Sequence, residues 1–329
     1  MNRRSSMVVA AGTRPLPLPL TASFRHEMLF YAGGDHGFLE GTLGVVRRAL
    51  AREAHVLVAV DVARAAALRQ ALGDEAERVR FADMRKLGRN PARVISVLQE
   101  LAGEHARGNG ALGIHEPVSP GRSPAELDEC ERHEALLNFA FDDGPGWHLL
   151  CPYDLDGLDD RVLEAAQRCH PVLSRDGAST RNETYTGRLE PAQPFVGALP
   201  APSGSVAQCA FTGSENLSAL RHLISAWAAR ESLGVERAEE LVLAVDELAT
   251  NSIRHGGGAG TLRFWREADT LLCEVQDEGR FKSPLVGRTR PSPEAQSGRG
   301  VWLVNQLCDL VQIRSGPAGS VVRVHMRLT

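Results

Sequence analysis

The sequence predicts two domains of different class: an α/β half built on a mainly parallel sheet, then an α+β half built as a two-layer sandwich. Three observations predict this. A length of 329 residues with 43% hydrophobic content can fill two cores. Up to about residue 174, continuous apolar runs alternate with amphipathic helical stretches, the pattern of a parallel sheet covered on both faces. Beyond residue 206, antiparallel-type strands gather around a few helices, and the segment between, Ser174 to Gly204, is rich in Pro, Gly, Ser and Thr as a linker is. The expected boundaries are a flexible tail over 1–22, an α/β domain over 23–174, a linker over 175–205 and an α+β domain over 206–329.

Composition excludes several classes. A net charge of −4 and a pI near 6.3 give no general attraction to nucleic acid or to an anionic membrane surface, so no direct DNA binding is expected. Prolines interrupt the apolar N-terminal run, and no stretch reaches the length of a membrane span. The six cysteines form no CxxC pair and no His/Cys cluster at zinc spacing. They read as reduced core residues of a cytoplasmic protein.

In the first half, EMLFYA, HVLVAV, VRFADM and WHLLCPYD read as strands. HGFLEGTLGVVRRALARE, ARAAALRQALG, PARVISVLQELAGEHA and DDRVLEAAQRC read as helices. Ligands of such sheets lie at the carboxyl ends of strands, which draws attention to YAGGDHGF, Tyr31 to Phe38. That loop has no lysine and fits neither GxxxxGK[ST] nor GxGxxG, so it is expected to be a turn and not a phosphate cradle.

The order FRHEMLFYAGGDHGFLEG, HEPVSPGRSPAELDECERHEALLNFAF, LLCPYD and CHPVL, over roughly Phe24 to Leu173, resembles the methanogen/methylotroph sensory (MEDS) family. The resemblance implies a RecA-like α/β fold without a working Walker loop, and an unknown small-molecule ligand. It makes His26, Tyr31, Glu116, Arg122 and Glu134 candidates for a sensory pocket. Each also has a structural reading, as a cap, a loop pin or a solvated helical position.

In the second half, AQCAFTG reads as a strand leading to Ser214 as an N-cap. ENLSALRHLISAWAARESLG and ERAEELVLAVDELATNSIRHGG read as helices, GTLRFWRE, TLLCEVQDEG, LVQIRS and SVVRVHMRL as strands, and GVWLVNQLC as a helix among them. On the second helix Leu241, Val245, Leu248 and Ser252 share a face, and Glu247, Asn251 and His255 form a polar row beside it at four-residue spacing. The row borders the core, where a carboxylate and an amide need partners. Downstream, Asp277 and Gly279 end a strand, where a carboxylate can accept from an exocyclic amine and glycine lets a planar ring approach the backbone. Gly298 and Gly300 precede a helix whose N-terminal N–H groups can face phosphate oxygens.

ExxxN, then DxG, then a GxG-helix resembles the GHKL (Bergerat) ATP-binding fold, and ELATNSIRHGG with GRGVWLVNQLCD is most similar to anti-sigma-factor serine kinases of the RsbW/SpoIIAB type. The resemblance implies ATP and Mg²⁺, with Asn251 as the Mg²⁺ ligand, Glu247 as the carboxylate that activates the attacking group and Asp277 as the adenine reader. Gly279, Gly298 and Gly300 would shape the nucleotide site, KSPLVGRTRPSPEAQS would be its lid, and His255 and Arg299 would border phosphate. A sigma factor and an anti-anti-sigma (STAS-type) protein would be the partners, and the chain a homodimer. Phe281 departs from the pattern, standing where a second glycine of DxGxG is common.

Two alternatives stand beside this reading. One is a nucleotide-binding regulator that captures partners without catalysis. The other is a sensor histidine kinase, from the faint phosphoacceptor-like RHEALLN containing His133.

Overall fold

The computed structural model describes residues 23–105, 110–141, 146–186, 195–292 and 298–328. The expected tail over 1–22 lies outside them. The chain divides into two compact units that do not follow chain order. The first holds the described residues within 1–82, 104–121 and 141–187, and the second those within 83–103, 122–140 and 188–329.

The first unit is an α/β sheet in the order β3-β2-β4-β5-β1-β6-β7. Its strands are β1 (Arg25–Tyr31), β2 (His55–Val60), β3 (Val79–Asp83), β4 (Ala111–His115), β5 (His148–Asp154), β6 (Val172–Arg175) and β7 (Ala178–Arg181). Helices α1 (Gly34–Leu50), α2 (Val62–Leu72) and α6 (Asp160–Cys169) connect them. Strands β2, β4, β5, β1 and β6 run parallel, and β7 returns antiparallel from β6. Both faces are covered, which is why Val56 to Val60 is buried without alternation. Asp61 starts α2 by accepting from the N–H groups of Ala63 and Arg64.

Two features of this sheet escaped the sequence pattern. Strand β4, ALGIH, is too short and too glycine-rich to stand out. The β6–β7 hairpin turns at Asp176 and Gly177, both with positive φ, so residues 178–181 at the start of the expected linker form a strand.

The second unit is centred on an antiparallel sheet in the order β11-β12-β10-β9-β8. Its strands are β8 (Ala207–Thr212), β9 (Ala259–Glu267), β10 (Thr270–Asp277), β11 (Leu310–Gly316) and β12 (Gly319–Arg327), with helices α7 (Leu217–Arg230), α8 (Val235–His255) and α9 (Arg299–Leu307). One apolar core joins Leu220, Ile224 and Trp227 of α7, Leu241, Val245 and Leu248 of α8, and the facing residues of β9, β10 and β12. This is the expected two-layer sandwich. Ser214 is not a cap. It opens a short 3₁₀ turn, and the side chain of Asn216 instead accepts from Thr212 N–H.

The same unit takes in α3 (Met84–Leu87), the 83–103 portion of α4 (Val94–His105) and α5 (Pro124–Ala140). Polar contacts explain this. Arg93 donates to the Asn305 and Cys308 carbonyls at the end of α9, which lack helical partners, at 2.7 Å each. Asn90 donates to the Asn305 side chain at 3.0 Å, and Glu126 accepts from Arg327 at 2.8 Å. Glu129, 2% exposed, accepts from Arg288 at 3.2 Å and Arg314 at 3.1 Å.

Candidate functional site

In the second unit the sequence motifs converge around the C-terminal half of α8. Glu247 and Asn251 are half-buried on consecutive turns. A methyl group placed on Gly300 would come within 2.7 Å of Glu247 Oε2 and 3.1 Å of Asn251 Nδ2. The first turn of α9 therefore lies directly on both side chains, and any side chain at position 300 would make them shift. Gly298, the residue before α9, has φ +88°, a left-handed conformation that favours glycine. Helix α9 runs for nine residues from this point, and the first N–H groups of a helix have no acceptor within it.

Asp277 closes the other side. Its Oδ2 accepts from Ser252 Oγ at 2.6 Å, and its Oδ1 accepts from Gly279 N–H at 2.8 Å and from Ser320 Oγ at 2.9 Å. Three donors fix the carboxylate without exhausting its lone pairs. Ser252, expected only to fill the core face, positions Asp277 instead. Gly256 and Gly279 are held against it: a methyl on Gly256 would lie 2.5 Å from Asp277 Cγ, and one on Gly279 would lie 2.8 Å from the His255 carbonyl. The His255 and Arg299 side chains are exposed at the end of α8 and the start of α9.

The lid segment is described up to Ser292. Phe281 packs against the core, with its N–H on Ser315 Oγ at 3.1 Å. The Gly287 carbonyl accepts from Asn305 Nδ2 at 2.9 Å, and Arg288 is anchored on Glu129. Residues 293–297 of the expected lid lie outside the described residues.

In the first unit Tyr31 and Glu116 come together at the carboxyl ends of β1 and β4. Tyr31 Oη donates to Glu116 Oε1 at 3.3 Å, and Arg64 both donates to Glu116 and sits over the Tyr31 ring, 5.4 Å from its centroid. Asp35 and Asp154 approach the same guanidinium at 3.4 and 3.8 Å. Burial and the Glu116 charge push the Tyr31 hydroxyl well above its ordinary range. Burial also raises Glu116, against the pull of Arg64. Arg64 was not singled out in the sequence, since it stands in an alanine-rich helical run. The adjacent YAGGDHGF segment is not the expected turn: Tyr31 ends β1, Gly34 to Phe38 already belong to α1, and only Ala32 and Gly33 connect the two. Its Gly33 N–H, at the start of α1, donates to Asp156 at 2.8 Å, so a carboxylate stands where a phosphate would have to bind.

The other pocket candidates lie elsewhere. His26 lies among Cys151 and His170 in the sheet interior. Arg122 belongs to the second unit, where it donates to the Gly88 carbonyl at 2.9 Å. Glu134 is also in that unit, buried on α5 with the equally buried His133 4.0 Å away. His133, in the faint phosphoacceptor-like RHEALLN, is only 1% exposed on α5.

A five-stranded antiparallel sheet backed by helices, with ExxxN, DxG and GxG converging beside it, defines the second unit as a GHKL-type ATP-binding domain. Comparison with known proteins agrees: residues 213–326 match the histidine kinase-like ATPase domain family, and residues 25–171 match the MEDS family, described as the methanogen/methylotroph, DcmR sensory domain. The chain thus carries a MEDS domain followed by a histidine kinase-like ATPase domain. Anti-sigma F factors of Thermoanaerobacter sp. (strain X514) and Thermoanaerobacter pseudethanolicus (strain ATCC 33223 / 39E) are each 27% identical over 121 residues, 34% of this chain and 85% of theirs. The solved RsbU and RsbW domains of a Mycobacterium tuberculosis protein align at 16% identity with a TM-score of 0.30, covering 64% of this chain and 49% of that one. No helix among the described residues is long and apolar enough to cross a membrane.

Proposed function

We propose that this protein is a cytoplasmic ATP- and Mg²⁺-dependent serine/threonine kinase that acts as an anti-sigma factor, with a STAS-type anti-anti-sigma protein as its substrate. One observation carries the reading: α9 begins on Glu247 and Asn251, beside the braced carboxylate of Asp277. The similarity to anti-sigma F factors supports the choice of partners, with a sigma factor captured when the anti-anti-sigma protein is phosphorylated.

The residues fit the nucleotide. The Asn251 carboxamide oxygen is a hard ligand suited to Mg²⁺. Asp277 keeps lone-pair capacity for an exocyclic amine, and Gly279 closes the turn beside it by donating its N–H to the carboxylate. The N–H groups around Gly298 and Gly300 offer donors to phosphate oxygens, with Arg299 and His255 at the margin. ATP with Mg²⁺ would supply the transferable phosphoryl group and the cation that offsets its charge. Glu247, one turn before Asn251, would accept the proton of the attacking serine hydroxyl. The MEDS domain would bias the switch through a small molecule held near Tyr31, Glu116 and Arg64, and the working species would be a homodimer.

The test is calorimetric titration of ATP and Mg²⁺ into the full chain, paired with phosphoryl transfer to STAS-type proteins encoded in the same genome. Asn251→Ala should weaken nucleotide binding by about a hundredfold, roughly 2.7 kcal/mol. Glu247→Gln should bind nucleotide yet fail to transfer. No Mg²⁺-dependent binding by the folded protein would overturn the proposal. A second reading, nucleotide binding without turnover, is favoured by Phe281, whose packing against the core fixes the chain just before the lid. Binding without transfer to any partner would select it.

A further inference from the structure

Strand β1 carries different chemistry on its two faces. On one, Glu27 lies 2.8 Å from both Arg25 Nε and His148 Nε2, with His148 opposite Arg25 in register. On the other, His26 faces the strand neighbour β5, where Cys151 lies opposite Met28, two residues along and therefore on the same face. Cys151 Sγ is 3.4 Å from His26 Nε2 and 4.0 Å from His115 Nδ1 at the end of β4. His170, in the turn between α6 and β6, brings its ring centroid to 4.0 Å from that of His26. Donor atoms of His26, Cys151 and His170 all lie within 4.8 Å of one another, and the three residues are 0% exposed.

From this geometry we propose that the first unit holds a transition-metal site ligated by His26, Cys151 and His170, with Zn²⁺ as the ion it best suits. Two imidazoles and a thiolate match a borderline-soft cation and are a poor match for Mg²⁺ or Ca²⁺. His170 is oriented by the helix before it. Its Nδ1 lies 2.7 Å from the Ala166 carbonyl, which can only accept, so Nδ1 is the donor and Nε2 is the nitrogen left for a metal. A backbone carbonyl that orients a ligating histidine in this way is the usual support of a bound metal. His115 borders the cluster from β4. Binding converts the Cys151 thiol to a thiolate and releases one proton to solvent, so no oxidant or reductant is required.

The full-length chain, stripped with a chelator and titrated with Co²⁺ alone, tests this. One equivalent of Co²⁺ should produce a thiolate-to-cobalt charge-transfer band together with the visible bands of a tetrahedral ion, and Zn²⁺ should bleach both. Cys151→Ser should lose the charge-transfer band while keeping native circular dichroism, and His170→Gln should weaken Co²⁺ binding by at least tenfold, about 1.4 kcal/mol. Should either variant fail to fold, X-ray absorption of the Co²⁺-loaded wild type decides the matter, with one sulfur and two imidazoles expected around the ion. A charge-transfer band that survives Cys151→Ser, no band in the folded wild type, or a cobalt shell without sulfur would overturn the site. None of these readouts depends on nucleotide or kinase activity.

Discussion

Strand β1 of the first unit and helix α8 of the second carry their polar residues in different settings. In the first, the central strand β1 has three consecutive polar residues, Arg25, His26 and Glu27, all under 8% exposed. In the second, the α8 face of β10 is apolar, and the polar row of α8 stays at the margin of the core, half-buried. A strand covered on both faces must give every charge it carries a partner within the sheet, whereas a helix at a sandwich edge can leave its polar side chains open to a ligand. The contrast separates Arg25 and Glu27, placed to meet each other, from Glu247 and Asn251, placed to meet something else.

The largest effect expected concerns the open edge. Gly300→Ala must displace the Glu247 carboxylate and crowd Asn251, so phosphoryl transfer should fall by about a hundredfold, the scale for misplacing a reacting group by roughly an ångström. Thermal unfolding should barely change. A variant with wild-type turnover would show that α9 does not press on the row during the reaction.

Glu129→Ala takes the carboxylate away from two buried arginines, Arg288 and Arg314, and should destabilise the second unit by about 4 kcal/mol. Hydrogen exchange should rise first over 285–290, next to the lid. Unchanged protection there would mean that Arg288 does not anchor this segment.

The units should also differ in their response to acid. Burial, followed by the nearby Arg323 charge, lowers His325 to a pKa of about 4. The folded state therefore favours the neutral ring. Its contribution is complete above about pH 6.5 and is lost as pH falls towards 4, by at most about 3 kcal/mol. His325→Gln, read by chemical denaturation, should flatten that window.

Glu27 works lower on the scale. Burial alone would raise its carboxyl, but the bond and charge of His148, then those of Arg25, outweigh burial and hold it well below the usual carboxylate range. Its contribution is present above the ordinary carboxylate pKa and disappears only as pH falls through the depressed folded value. Glu27→Gln should therefore cost a constant amount near neutrality, about 2 kcal/mol, with increased exchange confined to β1 and β5. A cost that vanished by pH 5 would break this assignment.

The α8 row, the DxG turn and the GxG start of α9 were legible because each is a local pattern: four-residue spacing fixes a helical face, and glycines mark a turn or a helix start. Strand β4 and the β6–β7 hairpin were not, because four or five residues carry too little periodicity. Ser214 looked like a cap from its place in the chain, but a 3₁₀ turn claimed it.

By itself, then, the sequence determined the class of both halves and the individual members of the α8, DxG and GxG motifs, since helical and strand periods act over a few residues. Only the tertiary structure decided which of those members meet. Sheet order and register bring His26 beside Cys151 across 125 positions and set Arg64 against Glu116 across 52, and no spacing rule spans such distances. The same holds for the cysteines. They form no zinc motif along the chain, yet parallel pairing of β1 with β5 sets one of them between two histidines, because strand neighbours in a parallel sheet need not be neighbours in sequence.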